Sequence, residues 1–337
     1  MDLRVVRGVA FAALVFFLVQ VGALSLVDPF QSAGYQAVED PSDPTNSLVY
    51  LGAILVATAF MLAAFKYDFD LAVKAVVLLS SALVSWYVFS VVVPPVVTYG
   101  SLNVLAAAFA LGVAVALLVY PEWYVVDTAG VVMGAGAAGL FGISFGLLPA
   151  VVLLSALAVY DAISVYGTEH MLDLAEGVMD LRIPVVLVIP LSWSYSLLDD
   201  DFSGASGVHD EDEDGTEGEV TDDAEGEESP DSRVADRDAF FIGLGDAVMP
   251  SVMIASAAFF SPASSLGVAW LPALNLPALT AMVGTFLGLG VLLRAVMKGR
   301  AHAGLPLLNG GAIAGYLVGA VAAGVPLVQA LGLAPYL

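Results

Sequence analysis

Nine stretches of this sequence run apolar for long enough to cross a bilayer, or nearly so: 8–27, 48–65, 71–93, 102–120, 125–146, 149–166, 240–260, 275–296 and 305–325. A crossing helix needs roughly 20 such residues. Inside lipid every backbone amide and carbonyl must be satisfied within the protein, which leaves helices and closed barrels as the spanning structures. Runs of this length specify helices, so the expected fold is an all-α polytopic membrane protein with nine transmembrane helices. The balance of residue types agrees: 59% of the chain is apolar and 13% charged, against about 45–50% and about 25% in soluble domains. The first stretch, behind Arg4 and Arg7, has the outline of a signal peptide. It is too long for an ordinary signal core, and Val27-Asp28-Pro29 is no small-residue cleavage site, so it counts as a span.

The basic residues orient these spans. Arg4 and Arg7 precede the first, and Lys66 and Lys74 flank the turn between the second and third. Arg182, Arg233 and Arg237 lie between the sixth and seventh; Arg294, Lys298 and Arg300 flank the turn between the eighth and ninth. With nine spans, all ten fall on one side, and the loops 28–47, 94–101 and 261–274 hold none. By the positive-inside rule that side is cytoplasmic. The N-terminus is then inside and the C-terminus outside, in a multi-pass protein of the cell membrane.

Three parts follow: residues 1–166 with spans one to six, a cytoplasmic connection over 167–239, and residues 240–337 with spans seven to nine. The connection opens with a segment, 167–180, whose Met171, Leu172, Leu174, Ala175 and Val178 share a helical face and read as an interfacial helix. Ile183–Leu191 is a short, β-branched apolar run, too short to span. From Asp199 to Asp238 come 18 acidic residues and two arginines, most of the chain's net charge of −23. Such a segment has too little apolar surface to fold and repels itself. It suits a high-salt, halophilic cytosol.

Several chemistries are closed to this chain. Nucleic acid needs clustered Lys and Arg, which are absent. With no cysteine there is no disulfide, thiolate metal site or cysteine nucleophile. His170, His209 and His302 form no zinc-protease pattern, and Lys66, Lys74 and Lys298 sit at span ends, away from a retinal Schiff base. Carboxylates and hydroxyls remain; no metal or organic cofactor is expected.

Ionisable groups within a span are costly and mark function by default. Two stand out: Asp161, five residues before the inner end of span six, and Asp246, six residues after the inner start of span seven. At ~1.5 Å per residue both lie roughly 8–9 Å below one face, on consecutive antiparallel helices. Two carboxylates that meet in low dielectric share a proton and titrate as a pair. One can then serve as base to water while the other, protonated, polarises a peptide carbonyl. The same acids would also serve a cation channel or proton-coupled transporter, or each could be satisfied separately by a hydroxyl or an amide.

The surrounding residues favour the first reading. Tyr160-Asp161 and Gly243-Leu244-Gly245-Asp246 resemble the YD and GxGD motifs of the presenilin and signal peptide peptidase family of intramembrane aspartyl proteases, and the chain is most similar to its archaeal members. The resemblance covers the chain apart from the acidic insert. It implies nine spans, Asp161 and Asp246 as catalytic acids, and cleavage of peptide bonds within transmembrane segments of other membrane proteins. The orientation matches presenilin and opposes signal peptide peptidase, which implies substrates with their N-terminus outside. The family's Pro-Ala-Leu motif, which opens span nine, is altered here to Pro306-Leu307-Leu308. Leu305–Leu308 are assigned its role. Literal copies at Pro272-Ala273-Leu274 and Pro277-Ala278-Leu279 belong to the opposite face.

Gly243 and Gly245 expose backbone beside Asp246, which suits an extended peptide docking there. Ile183–Ile189 and Ala239–Gly243, at the same level, could offer strand edges to an unwound substrate. The glycines of span five, Gly130 to Gly146, are expected to pack helices closely. Asp127 reads as an interfacial or capping group, Glu122-Trp123-Tyr124 as an aromatic-belt turn, and Glu169, His170, Asp173 and Glu176 as a solvated face. The partners expected are lipid and transmembrane substrates, and a homo-oligomer is compatible with the sequence.

Overall fold

Helices form wherever the sequence is continuously apolar, and the described residues contain little else. The structure is a computed structural model in which residues 3–67, 69–167, 185–199, 239–296 and 303–336 are described. The interfacial segment beyond Gly167, Arg182, the acidic insert beyond Asp199, Lys298, Arg300 and His302 lie outside them. In chain order the elements are α1 (Leu3–Ser32), α2 (Thr45–Lys66), α3 (Asp70–Val92), the short strands β1 (Thr98–Tyr99) and β2 (Leu102–Asn103), then α4 (Val104–Val119), α5 (Trp123–Ser144) and α6 (Leu147–Gly167). After these come β3 (Val186–Pro190), β4 (Ala239–Gly243), α7 (Leu244–Phe260), α8 (Leu276–Val296), α9 (Gly304–Ala322) and the one-turn α10 (Leu327–Ala330).

Seven of the described helices are long and apolar enough to cross a membrane; α4 and α7 are apolar but shorter, at 16 and 17 residues. The expected span over 240–260 therefore starts late. Its first four residues are strand, because Phe240, Phe241 and Ile242 favour an extended chain and find a partner in β3. Among the described residues the chain is thus mostly helical, with two small antiparallel ribbons.

Helix α5 stands at the centre, 67% buried over its apolar window against 11% for α2. Its glycines explain how so many neighbours reach it. A Cβ added at Gly139 would lie 3.3 Å from Leu26 and 3.1 Å from Phe30 of α1, and one at Gly136 would lie 3.0 Å from Val84 of α3. At Gly142 a Cβ would collide with Ala255 of α7. Three sides of one helix are therefore opened to backbone-close packing by small residues.

The second close seam joins α8 and α9. A Cβ on Gly284 would overlap the Gly311 carbonyl, one on Gly311 would overlap the Gly284 carbonyl, and Gly288 and Gly315 meet backbone in the same way. Gly290, on the other face of α8, has open space. Gly311→Ala should therefore lower stability by about 1–3 kcal/mol through overpacking. Gly290→Ala should be neutral or gain up to about 1 kcal/mol from helix propensity. Thermal unfolding in detergent micelles compares them; equal melting temperatures would show that the seam can relax.

Candidate active site

The site forms where α6 ends, α7 begins and α9 begins. Asp161 lies in the last two turns of α6 and is buried, 6% exposed. Its Oδ2 accepts a hydrogen bond from the Leu305 backbone N–H at 3.0 Å. The first amides of a helix have no partner within it, and Asp161 supplies one from a neighbouring helix. Tyr166, one turn further along α6, accepts the Ala303 N–H on its hydroxyl at 3.4 Å. Deeper, Asn309 of α9 donates its Nδ2 to the Leu154 carbonyl of α6 at 3.0 Å.

Asp246 sits in the first turn of α7. Its carboxylate lies against Gly304: a Cβ there would stand 2.9 Å from Oδ2 and 3.2 Å from both Cγ and Oδ1. Asp161 therefore touches Leu305 and Asp246 touches Gly304, so the two acids flank consecutive residues of one helical turn. No third carboxylate or histidine gathers with them among the described residues.

The remaining expected residues fall around this core with different parts. Gly243 is the residue before α7, exposed, and a Cβ there would be 3.7 Å from Asp246 Oδ2, an ordinary contact; Gly245 faces open space. Neither is small because packing demands it. Leu244 donates its N–H to the Val185 carbonyl at 2.8 Å, and its side chain reaches the glycine face of α5, where a Cβ on Gly134 would be 3.3 Å away. Pro306 occupies the first turn of α9, where a missing N–H costs nothing. Leu308 is buried with Ala247, Leu187 and Phe16, while the Leu307 carbonyl backs onto Gly288. Tyr160 is half-buried, and as the next residue on the helix it projects about 100° away from Asp161. Tyr166 brings an aromatic hydroxyl to this site through its bond to the Ala303 N–H.

The literal Pro-Ala-Leu copies lie elsewhere. Pro277 packs against Gly319, 15 residues along α9 from Gly304 and so roughly 22 Å away at ~1.5 Å per residue. The altered copy is the one beside the acids.

β3 and β4 pair antiparallel, with Val186 opposite Gly243 and Pro190 opposite Ala239. Each short segment is thus the other's partner, which narrows the expectation that both offer free edges. On its far side β3 is met by Asp127, whose Oδ1 accepts the Val188 N–H at 2.8 Å. Asp127, expected as an interfacial or capping group, is therefore buried and caps a strand edge. Glu122 precedes α5 as its cap and also accepts from Ser196 Oγ at 2.7 Å and the Leu197 N–H at 3.0 Å. Gly304, Tyr166, Asp127 and Glu122 were not singled out for these parts by sequence. Only Gly304, immediately ahead of the altered motif, carried a usable signal.

Comparison with known proteins gives the family. The family model described as signal-peptide peptidase, presenilin aspartyl protease matches residues 13–325. A solved structure of a presenilin family intramembrane aspartate protease in a C222 crystal form is 31% identical, with a TM-score of 0.61, over 93% of this chain and 99% of that one. Another, titled as the same kind of protease in a P2 form, is 32% identical, with a TM-score of 0.57, over 92% and 96%. No curated protein matches the sequence. With several apolar helices long enough to cross a bilayer, and a family match over nearly its whole length, this multi-pass membrane protein belongs to the signal-peptide peptidase and presenilin family of intramembrane aspartyl proteases.

Proposed function

We propose that Asp161 and Asp246 are the catalytic pair, and that the protein hydrolyses peptide bonds within transmembrane segments of other membrane proteins. The observation that carries this is the bracketing of Gly304 and Leu305 by the two carboxylates. One acid, ionised, takes a proton from water as the water oxygen bonds to the peptide carbonyl carbon. The other, protonated, gives its proton to the carbonyl oxygen. Collapse of the tetrahedral intermediate breaks the C–N bond, and the amine leaves with a proton from the pair. A helical substrate hides its carbonyls in its own hydrogen bonds, so it must unwind locally, next to exposed Gly243 and Gly245 and the Leu305–Leu308 turn.

The proposal carries a topology: nine crossings, N-terminus cytoplasmic and C-terminus outside, with 1–166 and 240–337 as membrane halves joined by the 167–239 connection. Deleting Ser203–Ser232 should then leave cleavage near the parent rate, since that stretch has almost no apolar surface to pack. Lost activity in a folded deletion variant would make the insert a gating element.

The function is tested with purified protein, a transmembrane reporter and a hydroxyl-containing peptide analogue of the tetrahedral intermediate. Cleavage that the analogue blocks supports the proposal. Cation or proton flux in reconstituted vesicles that survives the analogue, without cleavage, would support a channel or transporter built on the same acids.

A further inference from the structure

Asp127 is a buried acid on a central helix that the dyad does not use. One of its oxygens accepts the Val188 N–H, and the other is buried without a hydrogen-bond partner. What it holds leads directly to Asp246. In an antiparallel ribbon the amides alternate between facing the partner strand and facing away. The bond from Leu244 N–H to the Val185 carbonyl turns residues 185, 187 and 189 toward β4, so the Val188 amide points away, to α5. Asp127 thus closes that edge of β3 without competing with the ladder.

The same ribbon caps the helix that bears Asp246. Leu244 is the first residue of α7, and its amide is satisfied by Val185, three residues from the Asp127 anchor. Around this anchor α5 forms a seat. A Cβ on Gly130 would stand 2.9 Å from the Leu187 side chain and 3.7 Å from that of Leu244. Asp127, Gly130 and Gly134 recur at helical spacing on one face, holding in turn Val188, Leu187 and Leu244. Beyond β3, Glu122 takes the Leu197 amide, and Trp193 packs on Trp123 with ring centroids 6.0 Å apart. The ribbon is fixed to α5 on both sides of Pro190.

We propose that Asp127 is a positioning residue for Asp246: by anchoring β3 it fixes the Val185 carbonyl that caps α7, and so the first turn in which Asp246 sits. This rests on the peptidase reading above. It commits to geometry, and an amide side chain at 127 still offers an accepting oxygen to Val188.

The test uses full-length protein, the transmembrane reporter and titration of active sites with the tetrahedral analogue, so that rates refer to folded, competent molecules. Asp127→Ala should lower kcat per titrated site by about tenfold with KM within about twofold, as expected when a reacting group is misplaced and binding is not. Asp127→Asn should restore kcat to within about twofold of the parent. Val188→Pro removes the donor in place of the acceptor and leaves the β4 ladder intact, so it should reproduce the Asp127→Ala defect. Combining it with Asp127→Ala should add little further loss. Val188→Pro alone decides the matter if Asp127→Ala does not fold. Parental kcat per site in Asp127→Ala or Val188→Pro would overturn the positioning role while leaving the dyad standing. A parent protein whose reporter cleavage is indifferent to Asp246→Asn would overturn both.

Discussion

Asp161→Asn and Asp246→Asn should each abolish cleavage of a transmembrane reporter, with a loss of about 10³-fold or more, in protein that folds as the parent does. Removing either carboxylate takes away the base or the acid, and general acid–base groups are each worth about 10²–10⁴-fold. The loss should not multiply in the double variant, because the pair acts as a unit. Asparagine is more informative than alanine at 161. Asp161 also caps the start of α9 by accepting the Leu305 N–H, and loss of such a cap costs about 0.5–2 kcal/mol. An asparagine oxygen can keep the cap and cannot act as the acid or base. An inactive Asp161→Asn with an unchanged melting temperature therefore isolates the chemistry. Either single variant retaining full activity would remove the dyad.

Gly304→Ala should be the most damaging single methyl in the protein for turnover. The new Cβ would stand 2.9 Å from Asp246 Oδ2, closer than real contacts allow, and the short aspartate side chain can only rotate away. Displacement of a reacting group by about 1 Å costs about 10²-fold. The expected result is a fall in kcat of about that size with little change in melting temperature, the reverse of Gly311→Ala, which strains the seam and leaves the acids alone. Turnover and thermal unfolding on the two variants side by side distinguish pocket from packing. A Gly304→Ala protein retaining more than about a third of parental kcat would mean that Asp246 does not need its present position.

The fold was legible to the extent that it depends on hydropathy alone. Each of the nine apolar stretches carries a helix among the described residues, and Asp161 and Asp246 stand out because charge in such stretches is rare. Local geometry was harder. Phe240–Ile242 are as apolar as a span and extend instead, because β3 lies opposite them. The partners of Asp127 and Glu122 were invisible, since Val188 lies 61 residues on and Leu197 lies 75 residues on. Helical periodicity reports which face of a helix a residue occupies and not what arrives there. The altered motif at Leu305–Leu308 was assigned by its level relative to Arg300, against two literal copies. Of that turn, Leu305 meets Asp161, and the unexpected Gly304 just before it lies against Asp246.

The glycine seam between α8 and α9 has a mechanical consequence. Because Gly284 and Gly311 each meet the other's backbone carbonyl, backbone lies directly on backbone at this part of the seam, with no side chain between them to yield. The junction of α6 with α9 is of another kind, made at this end by the hydrogen bonds of Asp161 to Leu305, Tyr166 to Ala303 and Asn309 to Leu154. Side chains on that joint can swing and re-form their bonds after a displacement of a few ångströms. Asp161 is therefore joined to α9 through side-chain hydrogen bonds, the more adjustable kind of joint, while α9 itself is braced on α8 by direct backbone contact.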